Sequence, residues 1–413
     1  MMRPRIRSST LYKNVKKLVL KVDILYNMES LMERKKSNMR PFSLLIKPAG
    51  ADCNLRCEYC FYLGRSELYP EQKVHRMDEA TLTRLVRGYL ALPFPIHSFA
   101  FQGGEPLLMG EDFYRTLVRL QRRYARPGAI IQNFVQTNAT LFTPSLARFF
   151  AEEGFLVGVS VDGPEAVHNL RRCDAAGNVS HAAVMRGIDC LREAGTEFNI
   201  LTLITQANVH QPLETYRYLR DIVGTRYMQF IECVEWDEKG QLLPYAIQPE
   251  EWANFICTLF DEWIEKDVAS VSVRLFDSIA SKMQTGNPNS CAMGNDCRAY
   301  FVVEHNGDVY PCGFFVRPEL KLGNLHEHDW DELWDAPLHT QFGQRKACFN
   351  TLCETCAWRT FCNGDCPKNR TGHDASRDAR TLSHLCPAWK RIYGHLVPAL
   401  KALLQQRLTV PTL

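Results

Sequence analysis

The chain has 413 residues, 46% of them apolar and 23% charged, with 16 cysteines and a formal net charge of +3. This composition excludes a wholly disordered chain, and because no run of 18 apolar residues occurs, we expect no membrane-spanning helix. Residues 1–40 hold 11 Lys or Arg against 3 Asp or Glu while the remainder is mildly acidic, so the overall charge does not indicate nucleic-acid binding.

The basic segment at residues 1–40 precedes the first predicted strand. Leu18, Val19 and Leu20 lie among its lysines, as in a membrane-surface or targeting helix. A flexible extension, or translation begun at too early a methionine, is the simpler interpretation, because this apolar stretch is too short for a signal peptide. We therefore expect a cytoplasmic protein, and because cytoplasmic thiols stay reduced, so many cysteines indicate metal ligands rather than disulfides.

Residues 41–248 alternate short apolar runs with amphipathic stretches, which predicts repeated βα units. The predicted strands are 43–47, 98–101, 130–136, 156–161, 198–204 and 227–231. The helical patterns between them include 78–90, 112–123, 144–153 and 182–194. Six such units predict an α/β fold in which parallel strands form a partial (β/α)6 TIM-like barrel, short of the eight that close a full barrel. Functional side chains are expected at the carboxyl ends of these strands.

Three cysteines follow the first predicted strand in a C-x3-C-x2-C arrangement: Cys53, Cys57 and Cys60. Three thiolates on one tight loop suit a 4Fe–4S cluster, because they leave one iron free to bind another ligand. A zinc site usually needs a fourth protein ligand, and no histidine lies close in sequence. An iron–sulfur cluster with one open iron is therefore the favoured interpretation over zinc or three unrelated thiols.

The second half of the chain changes in character. Residues 249–290 are predicted to be a linking helical region with a helix over 250–266. Residues 291–390 hold nine cysteines among short apolar pieces, which predicts a small domain organised around metal. Residues 391–413 are predicted to be a C-terminal helix over 393–405 and a tail. Any single C-x2-C pair in this region would also fit a zinc ribbon.

The first cysteine motif, with the aromatic Tyr59 before its last cysteine, resembles the signature of the radical S-adenosylmethionine (SAM) enzymes. That family uses the partial barrel predicted above. The resemblance implies that SAM binds the open iron through its amino and carboxylate groups. The reduced cluster would then cleave SAM to a 5′-deoxyadenosyl radical, which removes a hydrogen atom from the substrate.

Further motifs support this resemblance. Residues 102–106 are similar to the family's GGEP motif, which implies that Gly103, Gly104 and Glu105 contact SAM, with Tyr59 as a further cofactor-binding residue. By the same resemblance, Ser160 and Arg172 hold the SAM carboxylate, and a guanidinium fork suits a carboxylate physically.

The second cysteine region resembles the SPASM extension of radical SAM enzymes that modify peptides. The resemblance implies two auxiliary 4Fe–4S clusters, each with four thiolates. The first auxiliary set is Cys291, Cys297, Cys312 and Cys366, and the outer set is Cys353, Cys356, Cys362 and Cys386. Cys348 is then a spare thiol, although an exchange of roles with Cys353 stays open. The remaining cysteines are expected to be small buried side chains: Cys173, Cys190, Cys233 and Cys257.

Over residues 42–403 the chain resembles anaerobic sulfatase-maturating enzymes. These enzymes oxidise an active-site Cys or Ser of a sulfatase to Cα-formylglycine (3-oxoalanine) without oxygen. The resemblance implies a sulfatase polypeptide of Cys or Ser type as substrate and an electron donor such as flavodoxin or ferredoxin, and we expect a monomer. The candidate substrate-binding residues are Tyr62, Gln102, Arg274 and Asp277.

One departure from that family concerns the general base. The family usually has Asp directly after the third ligand of the first auxiliary set, whereas Gly313 stands there in this chain. Asp308 is a weak substitute, and Glu304 and His305 are also near in sequence. The departure favours an alternative, a peptide maturase that forms a thioether or carbon–carbon crosslink. A non-enzymatic iron–sulfur electron carrier and a zinc-only module are the remaining hypotheses.

Overall fold

The computed structural model describes residues 39–408 apart from 373 and 375. The basic extension up to residue 38 and the tail from residue 409 lie outside the described residues, so the predictions for them are not addressed. Arg40, which closes the basic segment, donates to Asp296 at 2.7 Å beside Cys297.

The described strands form one sheet in the order β10-β9-β8-β1-β2-β3-β4-β5-β6-β7. Neighbouring strands from β1 to β7 are parallel, which confirms the predicted α/β sheet. All six predicted strands are present with boundaries shifted by at most two residues, and β7 is an addition. The strands are β1 Ser43–Lys47, β2 Ile96–Phe101, β3 Ile130–Thr137, β4 Leu156–Ser160, β5 Phe198–Ile204, β6 Tyr227–Glu232, β7 Ser272–Val273, β8 Tyr300–Glu304, β9 Asp308–Tyr310 and β10 Gly323–Asn324.

Helices connect the parallel strands and cover the sheet. Asp78 caps the first helix by accepting from the Thr81 amide at 2.7 Å, and Thr143 caps the third by accepting from Leu146 at 3.2 Å, as expected for short polar side chains at N-termini. The helices of the barrel are α1 Glu79–Ala91, α2 Gly110–Tyr124, α3 Pro144–Glu152, α4 Glu165–Asn169, α5 His181–Ala194 and α6 Pro212–Arg217. Those that follow are α7 Pro249–Lys266, α8 Arg274–Thr285, α9 Trp330–Asp335, α10 Pro337–Gln344, α11 Arg359–Cys362, α12 Pro367–Thr371 and α13 Cys386–Leu408.

The cysteine-rich region joins the barrel sheet. Strand β8 pairs in parallel with β1 from Ser43 opposite Tyr300 to Lys47 opposite Glu304, and β9 returns antiparallel to β8. The apolar run of β8 therefore buries its backbone hydrogen bonds against the barrel rather than in a sheet of its own. As a result, the loop that follows β1 lies next to the end of β8.

Strand β1 is buried on both faces, as expected for a strand inside a parallel sheet. Leu44 and Ile46 belong to the main core with the helices, whereas Leu45 packs with a second cluster that includes Tyr62 and Val302. The two faces of one strand thus connect the barrel core to the cysteine-rich region. Within residues 39–408, leaving aside 373 and 375, no helix is long and apolar enough to cross a bilayer.

Candidate active site

The loop after β1 is held by the loop after β2. Gly104 donates its amide to the Gly50 carbonyl at 2.9 Å, and Glu105 donates to the Asp52 carbonyl at 2.7 Å. A Cβ at Gly104 would lie 1.9 Å from the Asp52 carbonyl oxygen, and Gly103 has a φ of +131°. The two glycines are therefore needed for this close backbone approach. Their predicted contact with SAM stays a prediction.

Glu105 links the ends of β2 and β3. Its carboxylate accepts from the Thr137 hydroxyl at 2.7 Å, the Asn138 amide at 2.8 Å and the Leu107 amide at 2.9 Å. The side chain is 1% exposed. The Asn138 side chain in turn lies 3.8 Å from the Cys53 sulfur and donates to Asn54 at 2.9 Å. In this arrangement Glu105 positions the strand ends that support the thiol loop.

A buried polar triad connects the thiol loop to the end of β4. The Tyr59 hydroxyl donates to Asp162, and Arg172 donates to the Tyr59 hydroxyl at 2.8 Å. Burial raises the pKa of the Asp162 carboxyl, and the Arg172 guanidinium, 3.8 Å away, opposes that rise. The Arg172 Nε is buried and has no hydrogen-bond partner among the described residues. This orphaned donor fits the carboxylate that Arg172 is predicted to hold.

Ser160 lies at the end of β4, where its hydroxyl accepts from the Gln136 side chain of β3 at 3.0 Å. Both residues are at the carboxyl edge of the sheet, the same edge as the thiol loop. The structure therefore brings Tyr59, Ser160 and Arg172 to one rim, while their contacts with SAM stay predictions.

Replacement of Arg172 by lysine is expected to weaken SAM binding by about 10- to 100-fold, because one or two hydrogen bonds to a charged group are lost. Lysine keeps the positive charge beside Asp162 but lacks the planar fork. The SAM concentration dependence of 5′-deoxyadenosine formation measures this effect. Tyr59→Phe is the matched control, since it removes the hydroxyl of the triad but leaves the guanidinium. An unchanged SAM dependence in R172K would contradict the assignment.

All 16 cysteines lie within the described residues and are free thiols. In the first auxiliary set, burial raises the pKa of Cys297 to about 12 and that of Cys312 to about 11, and the neighbouring thiolates add to both shifts. Burial also raises the pKa of Cys366, with Cys291 and Cys312 as the next causes. The Tyr300 hydroxyl lies 3.3 Å from the Cys312 sulfur. The four thiols are thus mutual neighbours that a bound metal would have to deprotonate.

The outer set surrounds a single cavity. Cys353, Cys356, Cys362 and Cys386 all line it, together with Trp358 and Trp389. Cys348 does not line this cavity; it is exposed, and its sulfur lies 3.7 Å from the Gln344 carbonyl. This geometry supports Cys353 rather than Cys348 as the ligand.

The pair Cys353→Ala and Cys348→Ala tests that choice directly. C353A is expected to lose about four iron atoms per chain, because one missing thiolate removes the outer cluster. C348A is expected to keep the wild-type iron content, since its thiol is outside the cavity. Iron analysis and Mössbauer spectra after anaerobic purification measure the difference, and the opposite pattern would exchange the two roles.

The arrangement of the thiols fits clusters better than single ions. Among the described residues, no group of three or more His, Cys, Asp or Glu side chains is arranged to hold one metal ion. In a 4Fe–4S cluster each thiolate binds a different iron, so the ligands are spaced around a larger body. The donor set is thiolate only, which also suits iron–sulfur chemistry.

The structure separates the predicted substrate residues into two groups. Tyr62 is buried next to the thiol loop, where its hydroxyl donates to Glu304, and Gln102 is hydrogen-bonded through its amide to Ile46 of β1. Arg274 and Asp277 instead begin α8 after the edge strand β7; Arg274 donates to Gln229, and Asp277 accepts from Ser272. Burial raises the pKa of Asp277 to about 6. The substrate roles of these four residues stay predictions.

The candidates for a general base have different surroundings. Asp308 is paired with Lys321 at 2.6 Å and also accepts from Asn324 at 2.8 Å and Asn306 at 3.1 Å, so it stabilises the turn region of β9 and β10. Glu304 is buried and accepts from Tyr62. The Nδ1 of His305 lies 3.9 Å from the Glu304 carboxylate. No base role is assigned by these contacts, although Glu304 is the one closest to the thiol loop through Tyr62.

Lys47, a residue that the sequence interpretation missed, lies between the two cysteine regions. Its side chain is 1% exposed and its ammonium lies 4.5 Å from the centre of the Tyr62 ring. Burial lowers its pKa to about 8, and Glu304, Cys312 and Cys60 oppose the shift. A lysine in the last position of a strand buried on both faces was the available signal, because such a residue is rarely buried without a reason.

Comparison with known proteins agrees with this site. The model of the radical SAM superfamily matches residues 48–219, and that of the SPASM iron–sulfur cluster-binding domain matches residues 291–357. A serine-type anaerobic sulfatase-maturating enzyme of Bacteroides thetaiotaomicron is 36% identical over 376 residues, covering 87% of this chain and 90% of that protein. A cysteine-type enzyme of Clostridium perfringens is 35% identical, covering 88% and 98%.

A solved structure shares the fold. Native anSMEcpe with bound AdoMet and the Kp18Cys peptide matches with a TM-score of 0.82 and 35% identity, covering 89% of this chain and all of that one. The similarity therefore extends through both the barrel and the cysteine-rich region.

Proposed function

Because the chain belongs to the anaerobic sulfatase-maturating enzymes of the radical SAM superfamily, we propose that it oxidises an active-site Cys or Ser of a sulfatase polypeptide to Cα-formylglycine. We further propose that it does so with SAM and three 4Fe–4S clusters. The radical cluster is ligated by Cys53, Cys57 and Cys60, and the two auxiliary clusters by the first and outer sets defined above.

One observation carries the proposal. The first auxiliary set lies beside the strand that carries the radical loop: a Cβ at Gly313, next to Cys312, would lie 3.8 Å from the Lys47 ammonium. The thiols of Cys60 and Cys312 both act on the pKa of that ammonium. A peptide side chain at this place would therefore be near both the group that removes hydrogen and the group that removes an electron.

The chemistry requires three losses from the target residue, whether Cys or Ser. When bound, SAM and the radical cluster supply the radical that takes one Cβ hydrogen atom. The thiol or hydroxyl proton goes to a base, and one electron leaves toward the first auxiliary set. The chain's own residues hold the SAM carboxylate (Arg172 and Ser160) and exclude water at the buried inner end of the site (Tyr62 and Lys47).

A crosslinking peptide maturase is the second candidate, because Gly313 occupies the position where the family usually has its base. Such an enzyme would join a target side chain to a second residue of the peptide. Its product retains the sulfur or forms a new carbon–carbon bond, so it contains no aldehyde.

The test is anaerobic reconstitution followed by incubation with SAM, a reductant and matched peptides of the CxPxR and SxPxR types. We expect the target residue to become an aldehyde, detected by mass spectrometry and by reaction with a hydrazide probe. The same peptide with Ala at the target is the control. A crosslinked product would support the second candidate, and peptides left intact despite 5′-deoxyadenosine formation would refute both peptide substrates.

The partners and setting follow from the same proposal. A low-potential donor such as flavodoxin or ferredoxin reduces the radical cluster, and the enzyme acts as a cytoplasmic monomer. Supporting features are the thiol-only donor sets, which need a reducing environment, and the binding of the substrate as an extended polypeptide segment rather than as a small molecule.

A further inference from the structure

Lys346 lies between the two auxiliary cysteine sets. It is 0% exposed and belongs to the short helical turn Arg345–Ala347 that follows α10. Its ammonium donates to the Ala292 carbonyl at 2.8 Å and to the Asp365 carbonyl. These two residues are the chain neighbours of Cys291 and Cys366, so the lysine holds two ligand segments of the first auxiliary set together.

The charge of this ammonium is not balanced by a carboxylate. Lys346 makes no ion pair among the described residues. Nearby Asp365 directs its carboxylate to the Ser383 hydroxyl at 2.6 Å, the Asn369 amide at 3.0 Å and the Cys366 backbone amide at 2.6 Å. A buried cation without a counter-ion costs several kcal/mol, so another negative group must compensate it.

Two further cations increase the imbalance. Arg370 is 6% exposed and donates to the carbonyls of Lys346, Asn363 and Asp365 at 2.9–3.1 Å. Lys282 is half-buried and donates to the Met293 carbonyl at 2.6 Å. The segment between the auxiliary sets is therefore positively charged, with carbonyl groups rather than carboxylates as its hydrogen-bond acceptors.

The nearest groups that can carry the missing negative charge are the thiolate ligands. Burial and Arg370 lower the pKa of Lys346, whereas Asp365 and the thiolates of Cys366 and Cys297 raise it. The ammonium also acts on Cys362 of the outer set. A 4Fe–4S cluster with four thiolates is an anion that becomes more negative on reduction, and nearby charge shifts its potential.

We propose that the Lys346 ammonium is the buried counter-ion of the first auxiliary cluster and raises that cluster's reduction potential. The proposal rests on the proposed cluster assignment. A cation stabilises the reduced, more negative form, and burial prevents water from screening the effect. The lysine is thus a positioning residue for electron flow: it makes the first auxiliary cluster a better acceptor for the electron that leaves the substrate.

The test compares Lys346→Met with Lys346→Arg in the full-length, reconstituted protein. Iron content is measured first, and each cluster's potential is then measured by a redox titration followed by EPR, without SAM. We expect K346M to lower the potential of the first auxiliary cluster and K346R to keep it near the wild-type value. Lys390→Met is the matched control: Lys390 lines the outer cavity but is exposed, so its loss should give a smaller shift at either auxiliary cluster.

The outcomes separate this inference from the proposed function. Wild-type protein without auxiliary clusters would refute the cluster assignment itself. Full iron content with an unchanged potential in K346M, or an equal fall in K346R, would overturn the role of the charge. If K346M does not retain the cluster, Lys282→Met decides together with K346R: a lowered potential in K282M with a wild-type value in K346R supports the proposal, and any other pattern overturns it.

Discussion

Replacement of Cys57 by alanine is expected to abolish 5′-deoxyadenosine formation and peptide oxidation together. Cys57 is the middle thiol of the loop after β1, and its pKa is raised by burial and lowered by Arg172. With two thiolates left, the loop cannot hold a 4Fe–4S cluster, so iron should fall from about twelve to about eight atoms per chain. The auxiliary sets lie on other segments and should keep their iron.

Cys173→Ala is the matched control for this loss. Cys173 is half-buried beside the same loop, where its carbonyl accepts from the Arg56 amide at 2.7 Å and its sulfur donates to the Asn169 carbonyl at 3.3 Å. Removing this thiol should leave iron content and SAM cleavage unchanged. SAM cleavage that survives in C57A, or iron loss in C173A, would contradict the assignment of the radical cluster.

The barrel could be predicted from the sequence because its strands are short apolar runs separated by amphipathic helices. The pairing of β8 with β1 could not, since the two strands are more than 250 residues apart and nothing local in Tyr300–Glu304 specifies its partner. That pairing matters for function, because it places Glu304 opposite Lys47 and brings the cysteine-rich region to the thiol loop.

The candidate ligands could be found from cysteine spacing, which is a local signal. The groups that tune the site are not local: Tyr59, Asp162 and Arg172 meet across more than 100 residues of chain. Lys346 has no motif at all, and its importance follows only from its burial and its two carbonyl partners. The cavity around the outer set similarly distinguishes Cys353 from Cys348, which spacing alone left open.

Replacement of Gly313 by aspartate is expected to raise formylglycine formation by at least about tenfold. General-base catalysis contributes typically 10²–10⁴-fold, and glycine cannot accept a proton. The position can take a side chain: its backbone is not left-handed, and an added Cβ would lie 3.2 Å from Leu45 and 3.8 Å from the Lys47 ammonium. Leu45 has to move by a few tenths of an ångström.

The surroundings of Gly313 determine how strong such a base would be. An Asp carboxylate there would lie within reach of Lys47, and an ion pair would stabilise its charged form and lower its pKa. The added carboxylate would therefore be ionised and ready to accept a proton at neutral pH, but weaker as a base than an unpaired one. This is why we expect the gain to lie nearer the lower end of the range.

Gly313→Asn separates the base from the change in shape, because it has the same size without a carboxylate. The measurement is formylglycine formed per 5′-deoxyadenosine released, using the peptide that reacts with the wild-type enzyme. A base that acts on the thiol or hydroxyl proton should raise this ratio in G313D and not in G313N. Equal ratios in the two variants would show that the proton already leaves by another route, for which Glu304, hydrogen-bonded to Tyr62 beside the thiol loop, is the nearest acceptor.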